Sequence, residues 1–286
     1  HFDPTGAIEL GADGIVGGES IELTFDRDST TQAIVEKFPH LKDYDAFKIA
    51  PTDLNKVRDI LKGQIAISAT DNQGKLVDAT RLQIAGVLDD LYSYDGQLGV
   101  TFDGDTPTLR VWSPTALSIT LHIFDDGASE TESAAFPMEN DAETGVWSIT
   151  GEPDWANQYY LYEVEVFVPE TGQVEHNLVT DPYSLNLSLN STRSQIINLD
   201  DPATMPDGWL DTEKPALEAP EDIVLYELHV RDFSIYDESV PAEDRGTYRA
   251  FTHLDSNGMR HLKALADAGL THIHLMPVFD IATINE

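Results

Sequence analysis

The sequence predicts a multidomain protein. A small mixed α/β domain is expected over residues 1–94, an antiparallel β-sandwich over 95–213, and a linker leading into the start of a parallel β/α fold over 214–286. Three observations predict it. A short helical stretch followed by a hairpin occupies the first third of the chain. Short alternating strands separated by turn signals recur through the middle. Residues 223–286 read as strand, helix and strand, the order of a parallel crossover unit.

In the first region, Leu54, Val57, Ile60 and Leu61 fall on one helical face, with Thr52 as the expected N-cap and Gly63 as the stop. Residues 65–69 then alternate, Asp71-Asn72-Gln73-Gly74 supplies a turn, and residues 76–84 return, which predicts a hairpin. Phe38, Tyr44 and Phe47 are expected in the core. In the middle region, strands are expected over residues 108–112, 118–124, 145–149, 159–168 and 195–199, with Pro169-Glu170-Thr171-Gly172 as a hairpin turn. Residues 201–222 are rich in Pro, Asp and Glu and lack periodicity, so they read as a linker. In the last region, residues 223–233 alternate as a strand, 259–268 form an amphipathic helix and 271–276 form a second strand. A parallel sheet needs further strands to pair with and helices to cover it, so the sequence reads as cut inside a domain.

Composition excludes several function classes. The chain has 51 Asp and Glu against 17 Lys and Arg, a formal charge of −34. Nucleic-acid binding needs a basic footprint and is excluded; binding to anionic membranes is disfavoured. Such charge keeps a protein dispersed and also suits a secreted or salt-exposed one, where ions screen self-repulsion. There is no cysteine, hence no disulfide or thiolate chemistry. No apolar run approaches the ~20 residues that span a bilayer. The first residue is His1 and no signal peptide is read, so a processed or engineered N-terminus is expected.

Sugar-binding surfaces use exposed aromatic rings, whose apolar faces stack on pyranoses. The aromatic stock of the sandwich is Trp112, Trp147, Trp155, Tyr159, Tyr160 and Tyr162. Filling the sandwich core is the simpler account of most of them. Trp155 stands apart, because its segment, GEPDWAN at 151–157, is polar. Trp155, Tyr159 and Tyr160 form the candidate carbohydrate-binding set. The acidic loops at Asp125-Asp126 and 139–143 carry oxygen ligands of the kind Ca²⁺ takes, but solvated loops account for them more simply. A structural Ca²⁺ is thus left unassigned to residues, and no cofactor is required. Asn186-Leu187-Ser188 and Asn190-Ser191-Thr192 match the N-glycosylation acceptor pattern.

On the two expected strands of the last region, Glu227, His229 and Arg231 of the first and His272 and His274 of the second are expected on the inner face, and these five are the candidate active-site floor. Polar groups on the inner face of a β/α barrel form either an active-site floor or a buried support network. An Arg among them opposes a bound cation, which weakens a metal reading. The connection at 232–255 is of a length usually functional or disordered.

At these residues a resemblance becomes specific. YELHVRDFS (226–234), SVPAEDRGTYRAF (239–251) and GMRHLKALADAGLTHIHLMPVFDIATINE (258–286) resemble the start of the catalytic barrel of type I pullulanases, debranching enzymes of glycoside hydrolase family 13. AGVLDDLYSYDGQLGVTF (85–102) resembles the N-terminal junction of that family. TLRVWSPTA (108–116) and VTDPYSLNLSLNSTRSQIINL (179–199) resemble its family-48 carbohydrate-binding sandwich. The resemblance covers nearly the whole chain in the expected order. It implies an N-terminal pullulanase-associated domain, a family-48-type sandwich and an incomplete (β/α)8 barrel. It further implies hydrolysis of α-1,6 branch points in pullulan, starch or glycogen with retention, through a carboxylate nucleophile and a carboxyl acid/base. In the family these groups follow later barrel strands, so no catalytic residue maps onto this sequence, and the chain alone is expected to be inactive. The implied partners are α-glucan and the remainder of the catalytic domain. The implied location is secreted or cell-surface. The alternative is an α-glucan-binding or purely structural accessory module.

Overall fold

The structure is a computed structural model and describes residues 1–11, 14–26, 30–278 and 285. It divides into two compact units, His1–Asp201 and Pro202–Glu286.

The first unit opens with β1 (Phe2–Asp3), β2 (Glu9–Gly11), β3 (Gly14–Val16), β4 (Leu23–Phe25), α1 (Gln32–Lys37), β5 (Phe47–Ile49), α2 (Val57–Ile60), β6 (Gln64–Thr70), β7 (Leu76–Arg81) and α3 (Ala85–Leu91). Strands β1, β6 and β7 form one sheet, while β2–β3 and β4–β5 are separate pairs. The expected β6–β7 hairpin forms. The Asp71 carboxylate accepts the amides of Gln73 at 2.8 Å and Lys75 at 2.9 Å, and Gly74 supplies the positive φ of the turn. Thr52 does not cap the preceding helix. A 3-10 turn over Pro51–Lys56 starts two residues earlier with Ala50 as its N-cap, because a proline at the first helical position has no N–H to satisfy. Phe38, Tyr44 and Phe47 do not enter a core either: all three are exposed, Tyr44 at 71%.

The sandwich follows as β8 (Gly99–Asp103), β9 (Thr106–Trp112), β10 (Ser118–Phe124), β11 (Ala134–Pro137), β12 (Glu139–Asp141), β13 (Val146–Thr150), β14 (Tyr159–Val168), β15 (Gln173–Val179) and β16 (Ser194–Gln195). One sheet has the order β12-β13-β9-β8. The other runs β11-β10-β14-β15, with β16 added to β14. Every pairing is antiparallel. Alternation along the strands explains the two faces. In β9, Pro107, Leu109 and Val111 turn inward while Thr108, Arg110 and Trp112 turn out. In β10, Ile119, Leu121 and Ile123 do the same. These meet Met138, Trp147, Tyr160, Tyr162 and Ile196 in one continuous core. The strand expected over 195–199 is only the two residues of β16, although Ile196 just beyond it is fully buried.

The sandwich is tied to the elements before it by the Trp112 indole, which donates to the carbonyl of Tyr92, the C-cap of α3, at 3.0 Å. Arg58 of α2 lies over the Tyr92 ring at 4.7 Å and pairs with Glu143 at 3.2 Å.

The second unit contains β17 (Leu225–Leu228), α4 (Val230–Ser234), α5 (Asn257–Asp267) and β18 (His272–Leu275). Strands β17 and β18 are parallel, with Glu227 opposite His274 and Leu225 opposite His272. Ser256 caps α5 by accepting the Met259 amide at 3.2 Å. The strand expected over 223–233 stops at Leu228. His229 becomes the N-cap of α4, its Nδ1 accepting the Asp232 amide at 3.3 Å, and Asp232 in the first turn complements the helix dipole. The long connection after it is packed rather than loose: Phe233 stacks on Phe251 at 4.5 Å, and Val240 and Ala250 are buried. Residues 279–284 and 286, at the end of the third segment of the resemblance, lie outside the described residues. Among the described residues, no helix is long and apolar enough to cross a membrane.

Trp155 reports on the sandwich core. Its removal leaves a large cavity, so Trp155→Ala is expected to lower stability by about 3–5 kcal/mol, read as a shift in the urea midpoint. A Cβ placed on Gly151 would lie 2.1 Å from the Trp155 ring. Gly151→Ala is therefore expected to cost about 1–3 kcal/mol by overpacking, in the same assay.

Candidate functional site

The rings expected to stack on sugar do not form an exposed platform. Trp155 sits on a 3-10 turn, Pro153–Trp155, and is 8% exposed. The polarity of its segment belongs to its neighbours, while the indole packs against Phe136 with centroids 4.8 Å apart. Tyr160 is wholly buried. Tyr159, one position away on β14, turns to the opposite face and is half-buried. Trp155 and Tyr160 therefore act as core residues, which corrects the expectation of exposed stacking rings.

What the inner face of β14 builds instead is a buried polar knot. Tyr160 and Tyr162 lie on the same face with rings 5.4 Å apart. Both hydroxyls donate to one carboxylate oxygen of Asp181, at 2.7 and 3.2 Å. The other oxygen accepts the Tyr183 amide at 2.8 Å. Asp181 is itself 3% exposed. Desolvation raises its pKa, opposed by hydrogen bonds from the Tyr183 amide and the two tyrosines. Burial likewise pushes both tyrosines above their ordinary value. Sequence reasoning passed over Asp181. The signal available was two inward-facing tyrosines on one strand, whose hydroxyls each require a partner once buried.

The outer face of the same sheet carries a wet cluster. Glu163 of β14 contacts His122 of β10 at 2.9 Å and His176 of β15 at 2.9 Å, and Ser118 donates to Glu165 at 2.7 Å. Hydrogen bonds from His122 and then His176 hold the Glu163 carboxyl below its usual range.

In the second unit, the five residues expected to form a floor separate. Register brings Glu227 and His274 together, 3.1 Å apart, but both side chains are largely exposed. His272 lies two positions back, its Nδ1 on the Thr271 hydroxyl at 2.9 Å. His229 and Arg231 leave the strand with α4, where each lies near Asp232, at 3.8 and 3.7 Å. Asp237, from the long connection, caps the start of α5. Its carboxylate accepts from the Ser239 hydroxyl and amide, the Asn257 side chain and the Gly258 amide. The Ser239 hydroxyl is the largest of the influences that pull its pKa down to about 2.

Among the described residues, no group of three or more His, Asp or Glu is arranged to hold a metal ion. The acidic loops are occupied by turn geometry. Asp126 accepts the amides of Ala128 and Ser129, and Asp141 accepts the Glu143 amide and the Thr144 hydroxyl.

Comparison with known proteins follows the same order of parts. Residues 1–90 match the Pullulanase N2 domain, and residues 97–184 match carbohydrate-binding module 48, the isoamylase N-terminal domain. Over its whole length the chain is 40% identical to "Pullulanase 1, chloroplastic" of Arabidopsis thaliana. Over 90% of its length it is 41% identical to a pullulanase of Klebsiella pneumoniae. The chain corresponds to the N-terminal portion of pullulanases. It spans 30% of the Arabidopsis pullulanase and 24% of the Klebsiella one. The crystal structure of Klebsiella pneumoniae pullulanase complexed with maltotriose matches the whole chain with a TM-score of 0.92 at 37% identity, the chain covering 27% of it. A pullulanase from Paenibacillus barengoltzii, complexed with maltohexaose and alpha-cyclodextrin, matches 67% of the chain at a TM-score of 0.58 and 30% identity, over 29% of its own length.

Two variants test the networks. Asp181→Ala strands two buried hydroxyls at about 1–3 kcal/mol each, so a loss of about 2–6 kcal/mol is expected in urea denaturation. Asp237 has a depressed folded-state pKa. Its contribution is complete above its ordinary value of 3.8 and is lost as the pH falls toward about 2. The protection of the Asn257 and Gly258 amides, measured relative to their intrinsic exchange rates, should therefore fall between those pH values, and Asp237→Asn should abolish that change.

Proposed function

We propose that this chain is the N-terminal part of a debranching glycoside hydrolase that cleaves α-1,6 branch points in pullulan, starch or glycogen with retention. The single observation that carries this reading is the collinear match. An N2 domain, a module-48 sandwich and the segment after them occur in the order found in pullulanases that are 40–41% identical. The parts divide as 1–94, 95–213 and 214–286, the last being a linker and the first β-α-β unit of a (β/α)8 barrel. The parallel β17–β18 pair bridged by α5 supports that assignment, because this is the unit such a barrel repeats.

Retention requires two carboxyl groups about 5–5.5 Å apart across the scissile bond. In this chain Glu227 is paired with His274, and Asp237 is committed to capping α5. The chemistry is assigned to residues supplied by the rest of the protein. The partner is α-glucan, in keeping with the maltotriose complex of the Klebsiella relative. Secretion or display at the cell surface fits the acidic balance; no cofactor is required for this chemistry, and a structural Ca²⁺ is assigned to no residue of this chain.

Burial of Trp155 and Tyr160 favours a second reading for the sandwich alone, as a packing module rather than a glucan-binding one.

The test is release of reducing ends from pullulan. The 286-residue chain should give none, and the same chain extended by its downstream sequence should turn over. Sustained hydrolysis by the 286 residues alone would overturn the assignment of chemistry. A second expectation concerns surface. Val224, Leu225, Ile273 and Leu275 are each at least 40% exposed. The chain should therefore bind ANS strongly, and the extended protein weakly.

A further inference from the structure

Strand β4, helix α1 and the segment 42–46 that leads into β5 border a cleft of about 640 Å³ that neither the sandwich nor the β-α-β unit accounts for. Phe25 and Tyr44 line it, together with Gln32, Glu36, Asp43, Asp45 and one cation, Lys42. Tyr44 is 71% exposed and Phe25 48%. Phe47, 57% exposed, extends the apolar surface, because it is the cross-strand partner of Phe25 and meets it edge to face at 5.7 Å. Rings of this size, grouped and left in water, mark a binding surface more often than a fold requirement. Their frame is fixed. The β4–β5 ladder continues through the Asp26 amide to the Ala46 carbonyl at 2.9 Å, and Lys48 pairs with Asp26 at 2.7 Å.

The polar lining selects the ligand. Carboxylates at Glu36, Asp43 and Asp45 accept hydrogen bonds and repel anions, and the formal charge of −34 adds to that repulsion. Phosphates, nucleic acids and anionic lipids are thereby disfavoured. Gln32 donates to Glu36 at 3.0 Å, which fixes both side chains on one face of α1. Acceptors beside exposed rings suit a neutral molecule that has many hydroxyl donors and apolar C–H faces, which describes a pyranose chain.

We propose that this cleft binds an α-1,4-linked glucan segment, with Tyr44 and Phe25 stacking on sugar rings and the carboxylates accepting hydroxyl protons. That the sugar is α-linked glucose rests on the function proposed above; that it is a neutral polyhydroxylated ligand rests on the cleft.

The experiment uses the 286-residue chain, with affinity electrophoresis in amylopectin and calorimetric titration with maltoheptaose. Wild type should be retarded, and Tyr44→Ala should raise the maltoheptaose Kd at least tenfold. Tyr44→Trp should retain binding, and its added indole emission should change on titration. Trp209→Ala, which removes another exposed ring, should bind as wild type. Tyr44 is exposed, so all these variants should keep the wild-type urea midpoint. Unaltered binding by Tyr44→Ala overturns the cleft assignment and places glucan binding elsewhere on the chain. Absence of binding by wild type also overturns it. The debranching function would stand even then, provided the extended protein still releases reducing ends from pullulan.

Discussion

The sandwich depends on one desolvated carboxylate. Strand β14 is its most heavily paired element, bonded to β10, β15 and β16, and it places Tyr160 and Tyr162 side by side in the core. Two buried phenol hydroxyls need acceptors, and Asp181 serves both from the segment that follows β15. That shared bond fixes where the chain returns after the last hairpin. The return is held further by Ser194, whose hydroxyl accepts the Asp181 amide at 2.9 Å and meets Ser184 at 2.5 Å. Strand β16 then pairs with β14 beside this knot, and Ile196 enters the core directly after it.

A second consequence concerns recognition. Aromatic content by itself does not mark a sugar surface. The sandwich spends Trp147, Trp155, Tyr160 and Tyr162 on its own packing, while Phe25, Phe47 and the nearby Tyr44 are left exposed around the small β4–β5 pair. The surface suited to a neutral polyhydroxylated ligand thus lies in the part of the chain whose aromatics looked most like core. The formal charge of −34 acts across the whole molecule against anionic ligands.

Much of the fold was legible because strand alternation and turn chemistry are local. The pattern over 106–112 and 118–124, the Asp71–Gly74 turn and the Pro169–Gly172 turn need only their own neighbours to be read. The candidate sites were less legible. Glu227 and His274 could be set on inner faces from parity, and register did join them, but His229 and Arg231 could not. Their strand gave way to a helix once His229 found the Asp232 amide.

By itself the sequence determined the order of parts, the periodicities of the sandwich strands, the parallel unit of the second region and the strongly acidic charge balance. Those follow from residue type and spacing along the chain. Only the tertiary structure decided that Trp155 is core, that Tyr44 and Phe47 are surface, and that Asp181 joins two tyrosines 19 and 21 residues away. Burial and shared hydrogen bonds depend on which distant segments meet, and no local pattern encodes that meeting.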